Sequence, residues 1–397
     1  MDRAAPNKAK TDSSESFPQT IPTDVIARYS SLGLYWRAIA ATWRTFGLGK
    51  VFAISVVRQP LWSGINRLAM ALDNLLFPEF RRVEVKNPIF IIGHPRSGTT
   101  FLHRLLNTTN EYCVFRIWEI FTPALTMRHL ARPVVRRWKA KSKSVLFPKE
   151  TGHQADLEDI EEEELLFIHT GNTQFYATIT PLAFSEAGFP ELVWSDHQPP
   201  AVKRRAMAYL KGCIQRQIHD TGKTQVVAKM NYSGTRIRSM LEAFPDARFI
   251  YLIRSPLETI PSHLTLDRNT FDHIWSLHRI PEEKLRRYYE LRYHYDVAYY
   301  RYMEDVIDSD TIPGDRLLVI PYGQLRSDLA PTIERIIEFT GLQPSPALRE
   351  KIAAQSNEQK RFVRTHRNLP LETFGLTEQR VTEDLGFVFD KYGFPHG

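Results

Sequence analysis

The sequence predicts an α/β fold of three layers: a mainly parallel sheet flanked by helices, with a further helical layer at the N-terminus. Three observations predict it. Short apolar runs at 89–92, 226–230, 249–253 and 317–320 read as strands buried on both faces. Helical patterns at 99–106, 201–219, 234–243 and 282–306 alternate with them, as in a sheet built from crossover units. The first apolar run breaks directly into a tight polar turn and a helix start, the layout of a phosphate-binding loop.

Taken in order, residues 1–24 are rich in Lys, Ser, Thr, Asp and Pro without apolar periodicity, and are expected to be a disordered lead-in. Residues 25–82 change character. Trp36, Trp43, Trp62, Leu68 and Leu72 alternate with Arg37, Arg44, Lys50, Arg58 and Arg67, which predicts two or three amphipathic helices. Such a segment fits either a layer packed on the domain or an interfacial membrane contact. Residues 83–397 form the main domain. Within it, Ser327 is the expected cap and Gly341 the expected stop of a helix, and 350–392 reads as a long, partly irregular polar tail.

The bulk composition narrows the class. Hydrophobic residues at 43% and charged residues at 24% suit a globular chain. The net charge of +7 suits a polyanionic ligand, but the basic residues are scattered rather than massed in one stripe, which argues against nucleic acid. Cys113 and Cys213 are the only cysteines, far apart and without ligand spacing, so the expectation is free thiols in a reducing, cytoplasmic setting. No leader pattern follows Met1, and no run of about 18 apolar residues marks a membrane span.

The chemistry concentrates in Gly93-His-Pro-Arg96-Ser97-Gly98-Thr99-Thr100. From Gly93 to Gly98 it matches the first half of the nucleotide P-loop, G-x-x-x-x-G, so the fold is P-loop-like; the next position, lysine in nucleotide enzymes, is Thr99. Backbone N–H groups at the helix start, Gly98, the hydroxyls of Ser97, Thr99 and Thr100 and the forked donors of Arg96 suit a terminal phosphate without a metal. A second strand-to-helix turn places Arg254 at a strand end and Ser262 eight positions later. In a parallel sheet, strand C-terminal ends line one crevice, so Arg254 and the first loop face one ligand.

These two motifs, in this order and spacing, resemble the sulfotransferases that use 3′-phosphoadenosine 5′-phosphosulfate (PAPS). The resemblance covers roughly 83–392 and is nearest to a bacterial-type branch that includes an enzyme for an ω-hydroxylated menaquinone. Trp118-Glu119, the acidic run Glu161–Glu164, Phe244–Ile250 and His366–Leu376 contribute to it. Arg96 stands where many cytosolic members have lysine, as in the tyrosylprotein and bacterial branches. The resemblance implies that Arg96, Ser97, Gly98, Thr99 and Thr100 hold the 5′-phosphosulfate and that Arg254 and Ser262 hold the 3′-phosphate. Arg364, in a basic segment from Lys360 to Arg367, is placed to close over that phosphate.

Candidate bases for the acceptor hydroxyl are three. Glu119 resembles the base glutamate that follows the loop's helix in the tyrosylprotein and trehalose sulfotransferases. His103 is either a base or a packed histidine. In the run 161–164, four adjacent glutamates cannot share one face of a helix, so most are expected on a solvated face, with Glu162 or Glu163 turned inward. Lys229, at a strand end, and Arg96 are the groups to stabilise the bridging oxygen. No cluster with metal-ligand spacing is visible. The implied reaction is sulfuryl transfer to a hydroxyl, on a lipid or other hydrophobic alcohol. A P-loop kinase and a non-enzymatic peripheral membrane protein are the alternatives.

Overall fold

The computed structural model describes residues 21–140, 145–147, 155–309, 311–359 and 368–396. Among the described residues six strands run in chain order: β1 (Ile89–Gly93), β2 (Val145–Phe147), β3 (Ala155–Asp156), β4 (Val227–Lys229), β5 (Arg248–Ile253) and β6 (Leu317–Pro321). Four of them make one sheet in the order β4-β1-β5-β6. All three pairings are parallel, with Ile89 opposite both Val227 and Arg248, and Phe249 opposite Leu317. β2 and β3 form a separate antiparallel pair.

The continuous apolar runs are explained by burial on both sides. Phe90, Ile92, Ala228, Phe249, Tyr251 and Ile253 point into one core, shared with the helices Pro200–Thr221, Pro256–Trp275 and Glu282–Asp308. Their neighbours Ile89, Ile91, Val227, Ile250 and Leu252 point into the other, shared with Thr99–Leu106, Leu329–Thr340 and Pro346–Gln359. Side chains alternate across a strand, so each strand feeds two helical layers. The three-layer α/β architecture expected from the sequence is the one observed.

Three local expectations change. Ser327 does not open a helix: Tyr322–Ser327 is itself helical, the chain breaks at Asp328, and Leu329–Thr340 follows, stopped at Gly341 with φ 73°. Ser327 instead bonds the Gly323 carbonyl, as a hydroxyl inside a helix does. Among its described residues the polar tail holds four helical pieces: Pro346–Gln359, pinned by Leu348 and Ile352 in the second core, and Leu371–Phe374, Glu378–Asp384 and Gly386–Tyr392, pinned by Leu371, Phe374, Val381, Val388 and Phe389 in the first. Their buried positions are too sparse to stand out from a polar background. The expected lead-in lies mostly outside the described residues, and its last positions already belong to the helix Thr23–Ala27. Helices Ser31–Phe46 and Gln59–Leu76 follow, joined through Lys50–Phe52 and a π-helical stretch Ala53–Arg58. That wide turn immediately precedes Pro60, whose missing N–H cannot join a regular ladder.

Candidate active site

The loop after β1 is shaped by two glycines. Gly93 has φ 155°, and a Cβ there would lie 2.5 Å from the Leu252 carbonyl oxygen and 2.7 Å from Ser97 Oγ. Gly98 has φ 100° and meets the Tyr322 ring, 2.6 Å from where its Cβ would stand. Between them Ser97, fully buried, closes the turn with both its N–H (3.1 Å) and its hydroxyl (2.7 Å) donating to the His94 carbonyl. Arg96 sits at φ 74°, a conformation that costs a non-glycine residue about 1–3 kcal/mol and that clusters at ligand sites. The helix Thr99–Leu106 starts at once, and its first intrahelical bond is Leu102 N–H to the Gly98 carbonyl. The N–H groups before it point out of the helix end, where the dipole favours an anion.

The second motif folds onto the first. Arg96 Nε donates to Ser262 Oγ at 3.0 Å, and Arg254 Nη1 donates to the Arg96 carbonyl at 3.1 Å. Arg254 is also held by Glu258, at 2.7 and 3.1 Å, and its guanidinium lies 4.2 Å from the centre of the Tyr322 ring. Arg96, Ser97, Gly98, Thr99, Thr100, Arg254 and Ser262 therefore occupy one region. Arg364 lies outside the described residues. Tyr322, which braces both motifs, was missed from sequence. It follows the end of β6, so the strand-end rule that located Arg254 and Lys229 would have found it.

Lys229 ends β4 and is 2% exposed. Its Nζ donates to Thr100 Oγ1 at 2.9 Å and to Glu161 at 2.8 Å, with Glu162 3.5 Å away. Burial alone would lower the ammonium's pKa; the pull of Glu161, Glu162 and Glu163 outweighs it and holds the group above its ordinary value.

The acidic run is not a solvated face: all four glutamates are buried. The chain enters extended at Glu162 and becomes 3₁₀-helical only over Glu163–Thr170, so the carboxylates fan out instead of stacking. Glu162 accepts from the Asn231 N–H and side chain, Glu163 from the Phe115 and Lys229 N–H groups, and Glu164 from Ser233 and Arg236. Burial pushes Glu162 and Glu163 up to about 8. Glu161 is the member that reaches the loop through Lys229, and it lies 3.7 Å from Arg104.

The other two base candidates are engaged elsewhere. His103 is 1% exposed, and its Nε2 donates to the Val227 carbonyl at 3.1 Å. Burial, with Lys229 nearby, lowers it to about 3, so of its two alternatives the geometry is that of the packed histidine. Glu119 turns back on its own helix: Oε2 accepts from the Arg116 N–H at 2.8 Å and from Gln217 at 3.0 Å, as the reciprocal half of a capping box.

A buried string absent from the sequence reading supports the loop from behind. Asp296 lies 3.1 Å from His94 Nε2 and 3.2 Å from His263 Nδ1, and Tyr232 continues from His263 Nε2 at 3.0 Å. Burial would raise the Asp296 pKa, but the two imidazoles bring it below the usual carboxylate range. His94, His263 and Asp296 are the one grouping with metal-ligand proximity among the described residues. They are spread from residue 94 to 296, so no local spacing signals them.

Comparison with known proteins gives the family of the chain. Residues 88–346 match the model of the Sulfotransferase family. The chain is 24% identical over 320 residues to the omega-hydroxy-beta-dihydromenaquinone-9 sulfotransferase Stf3 of Mycobacterium bovis, covering 77% of this chain and 75% of the relative. The Stf3 protein of Mycobacterium tuberculosis matches to the same extent. The fold of this chain resembles the crystal structures of sulfotransferase STF9 from Mycobacterium avium (TM-score 0.67, 16% identity, 91% of this chain and 96% of that one) and STF1 from Mycobacterium tuberculosis (0.62, 18%, 93% and 94%). Since the family match runs through every strand of the parallel sheet and the loop between β1 and its helix, the chain belongs to the sulfotransferase family and is a sulfotransferase enzyme.

Proposed function

We propose that this enzyme transfers a sulfuryl group from PAPS to the hydroxyl of a hydrophobic alcohol. The observation that carries the reading is the joining of two anion-binding motifs through Arg96, whose side chain meets Ser262 and whose carbonyl meets Arg254. One phosphate would lie on the helix start at Gly98–Thr100 and the other between Arg254 and Ser262. PAPS carries both, and when bound it supplies the electrophilic sulfur and a good leaving group.

In this reading Lys229 and Arg96 neutralise charge on the bridging oxygen as the sulfur–oxygen bond to the 5′-phosphate breaks. Thr100, tied to Lys229, orients the transferring group. Glu161 takes the acceptor's proton as the new sulfur–oxygen bond forms, leaving a sulfate ester and 3′,5′-ADP. The resemblance pointed to Glu119 as the base; we assign the role to Glu161 because its carboxylate is joined to Thr100 through Lys229, while that of Glu119 caps a helix. A sulfuryl group carries less charge than a phosphoryl group, so these cations suffice and no metal is required. The acceptor class follows the relative's name, which specifies a menaquinone-derived alcohol, and the aromatic N-terminal helices. No helix among the described residues is long and apolar enough to cross a membrane. With two buried free thiols, the reading places the enzyme in the cytoplasm, against the inner face of a membrane.

The test is a thermal-shift titration with 3′,5′-ADP. A ligand that binds only the native state stabilises it by about 2.7 kcal/mol at a hundred times Kd. Arg254→Ala should weaken binding by roughly 10- to 100-fold, the loss of a charge-assisted hydrogen bond worth about 1.5–3 kcal/mol. Glu161→Gln should lower kcat with little change in donor binding. No stabilisation by millimolar 3′,5′-ADP, or stabilisation only by ATP with magnesium, would overturn the donor assignment.

A further inference from the structure

The helix Gln59–Leu76 is amphipathic with its polarity reversed. Its buried positions are Ser63, Asn66, Ala69 and Asp73. Each polar one is engaged: Ser63 accepts from Gln59, Asn66 donates to the Phe121 and Trp62 carbonyls, and Asp73 caps the next helix through the Leu125 and Thr126 N–H groups. The outward face is Leu61, Ile65, Leu68, Leu72 and Leu75, recurring at four and three, with Leu68 66% and Leu75 78% exposed. A helix on a globular surface turns its apolar stripe inward. Here packing is satisfied by polar groups and the leucines face out.

The helix Leu125–Ala140 packs against Gln59–Leu76. It exposes Leu130, Val134 and Trp138 at intervals of four, and Phe77 of the first helix's end stacks on its His129. Exposed apolar rows on two packed helices mark an interaction surface.

The charge around it selects the occupant. Arg58, Arg67, Arg81 and Arg82 are exposed on or next to the first helix, and Arg136, Arg137 and Lys139 on the second. Across 125–140 the sequence has no acidic residue, and between 50 and 82 Asp73 is buried against Arg216, leaving Glu79 as the exposed acid. Self-docking would bring two cationic rims together with few carboxylates between them. An anionic lipid surface supplies both an apolar interior and the opposite charge, and interfacial helices combine Trp, Leu and Arg in this way. We propose that the joint face of Gln59–Leu76 and Leu125–Ala140 docks the enzyme on an anionic bilayer. The proposal deepens the hydrophobic-acceptor reading, which gives it a purpose, but the surface stands on its own geometry.

The experiment is co-sedimentation of the full chain with phosphatidylcholine vesicles, with and without phosphatidylglycerol, in the absence of donor or acceptor. Binding is expected to require phosphatidylglycerol and to fall as salt rises. Leu68→Glu with Leu72→Glu should weaken it at least tenfold, and Arg136→Ser with Arg137→Ser should weaken it and flatten its salt dependence. Both double variants should keep the wild-type response to 3′,5′-ADP, which shows that they fold and separates this result from the donor assignment. Equal, weak sedimentation with both vesicle types overturns the proposal. So does a dimer in analytical ultracentrifugation that Leu68→Glu with Leu72→Glu dissolves without any vesicle binding, which would make the occupant a second copy.

Discussion

At the scale of single residues, the loop works by omission. Thr99 stands where a nucleotide P-loop has lysine, and the fold supplies the missing charge from another strand: Lys229 reaches Thr100, one position on. His103, on the same helix, packs against β4 as a neutral imidazole, bonded to the Val227 carbonyl two positions before that lysine. Its position makes a pH prediction. The unfolded imidazole titrates near 6.5 and the folded one at about 3. Between those values the unfolded state binds the extra proton, so the stability His103 allows is complete above about pH 6.5 and is lost as pH falls toward 3. The buried Glu162 and Glu163, pushed up to about 8, tilt stability in the opposite direction, and a comparison with a variant removes their effect. His103→Gln keeps an N–H for the Val227 carbonyl and cannot ionise. Its melting temperature should fall less than the wild type's between pH 6.5 and 5; equal slopes by calorimetry would show that His103 is not buried neutral.

At the scale of elements, polar residues hold the helices in place as firmly as apolar ones. Asp73 is fully buried, accepts from the Leu125 and Thr126 N–H groups, and pairs with Arg216 Nε at 2.7 Å. Arg216 in turn lies 3.9 Å from the centre of the Phe80 ring. Removing one partner strands a buried charge, so Asp73→Ala should cost about 3–5 kcal/mol in urea unfolding, far more than a surface ion pair. A loss below about 1 kcal/mol would mean that the cap and the pair are dispensable. The acidic run carries the complementary lesson. The strands and the helix Thr99–Leu106 were legible because their periods are local and unbroken. Four consecutive glutamates read as solvated because nothing nearby in sequence neutralises them. Their partners are Lys229, Asn231, Ser233 and Arg236, roughly seventy positions later, and a sequence read along its length does not show that encounter.

At the scale of the whole molecule, two buried cores lie on either side of the sheet and share its strands. Cys113 and Cys213 report on this interior. Burial pushes their thiols up to about 12 and about 11, so neither is a nucleophile in the native state. Labelling by a thiol reagent should proceed at the rate of global opening, and 3′,5′-ADP should slow it in proportion to the stability it adds. Fast labelling of either cysteine in the liganded protein would show that the core around it opens locally. The outer surface is less balanced than the interior, since its largest exposed apolar side chains gather on the N-terminal helices and on Leu125–Ala140.

The sequence by itself determined the architecture and the two strand-to-helix motifs that the fold brings together. Buried strands, glycines at a tight turn and an arginine at a strand end are local signals, imposed by steric limits and by the solvation of short segments. The tertiary structure alone decided which charges meet. It brought Arg96 onto Ser262, set Glu161 against Lys229, strung His94, Asp296 and His263 behind the loop, and turned the leucines of Gln59–Leu76 outward. Those outcomes depend on which buried polar group finds which partner across the folded chain, and that pairing, not local preference, offsets the cost of taking charge out of water.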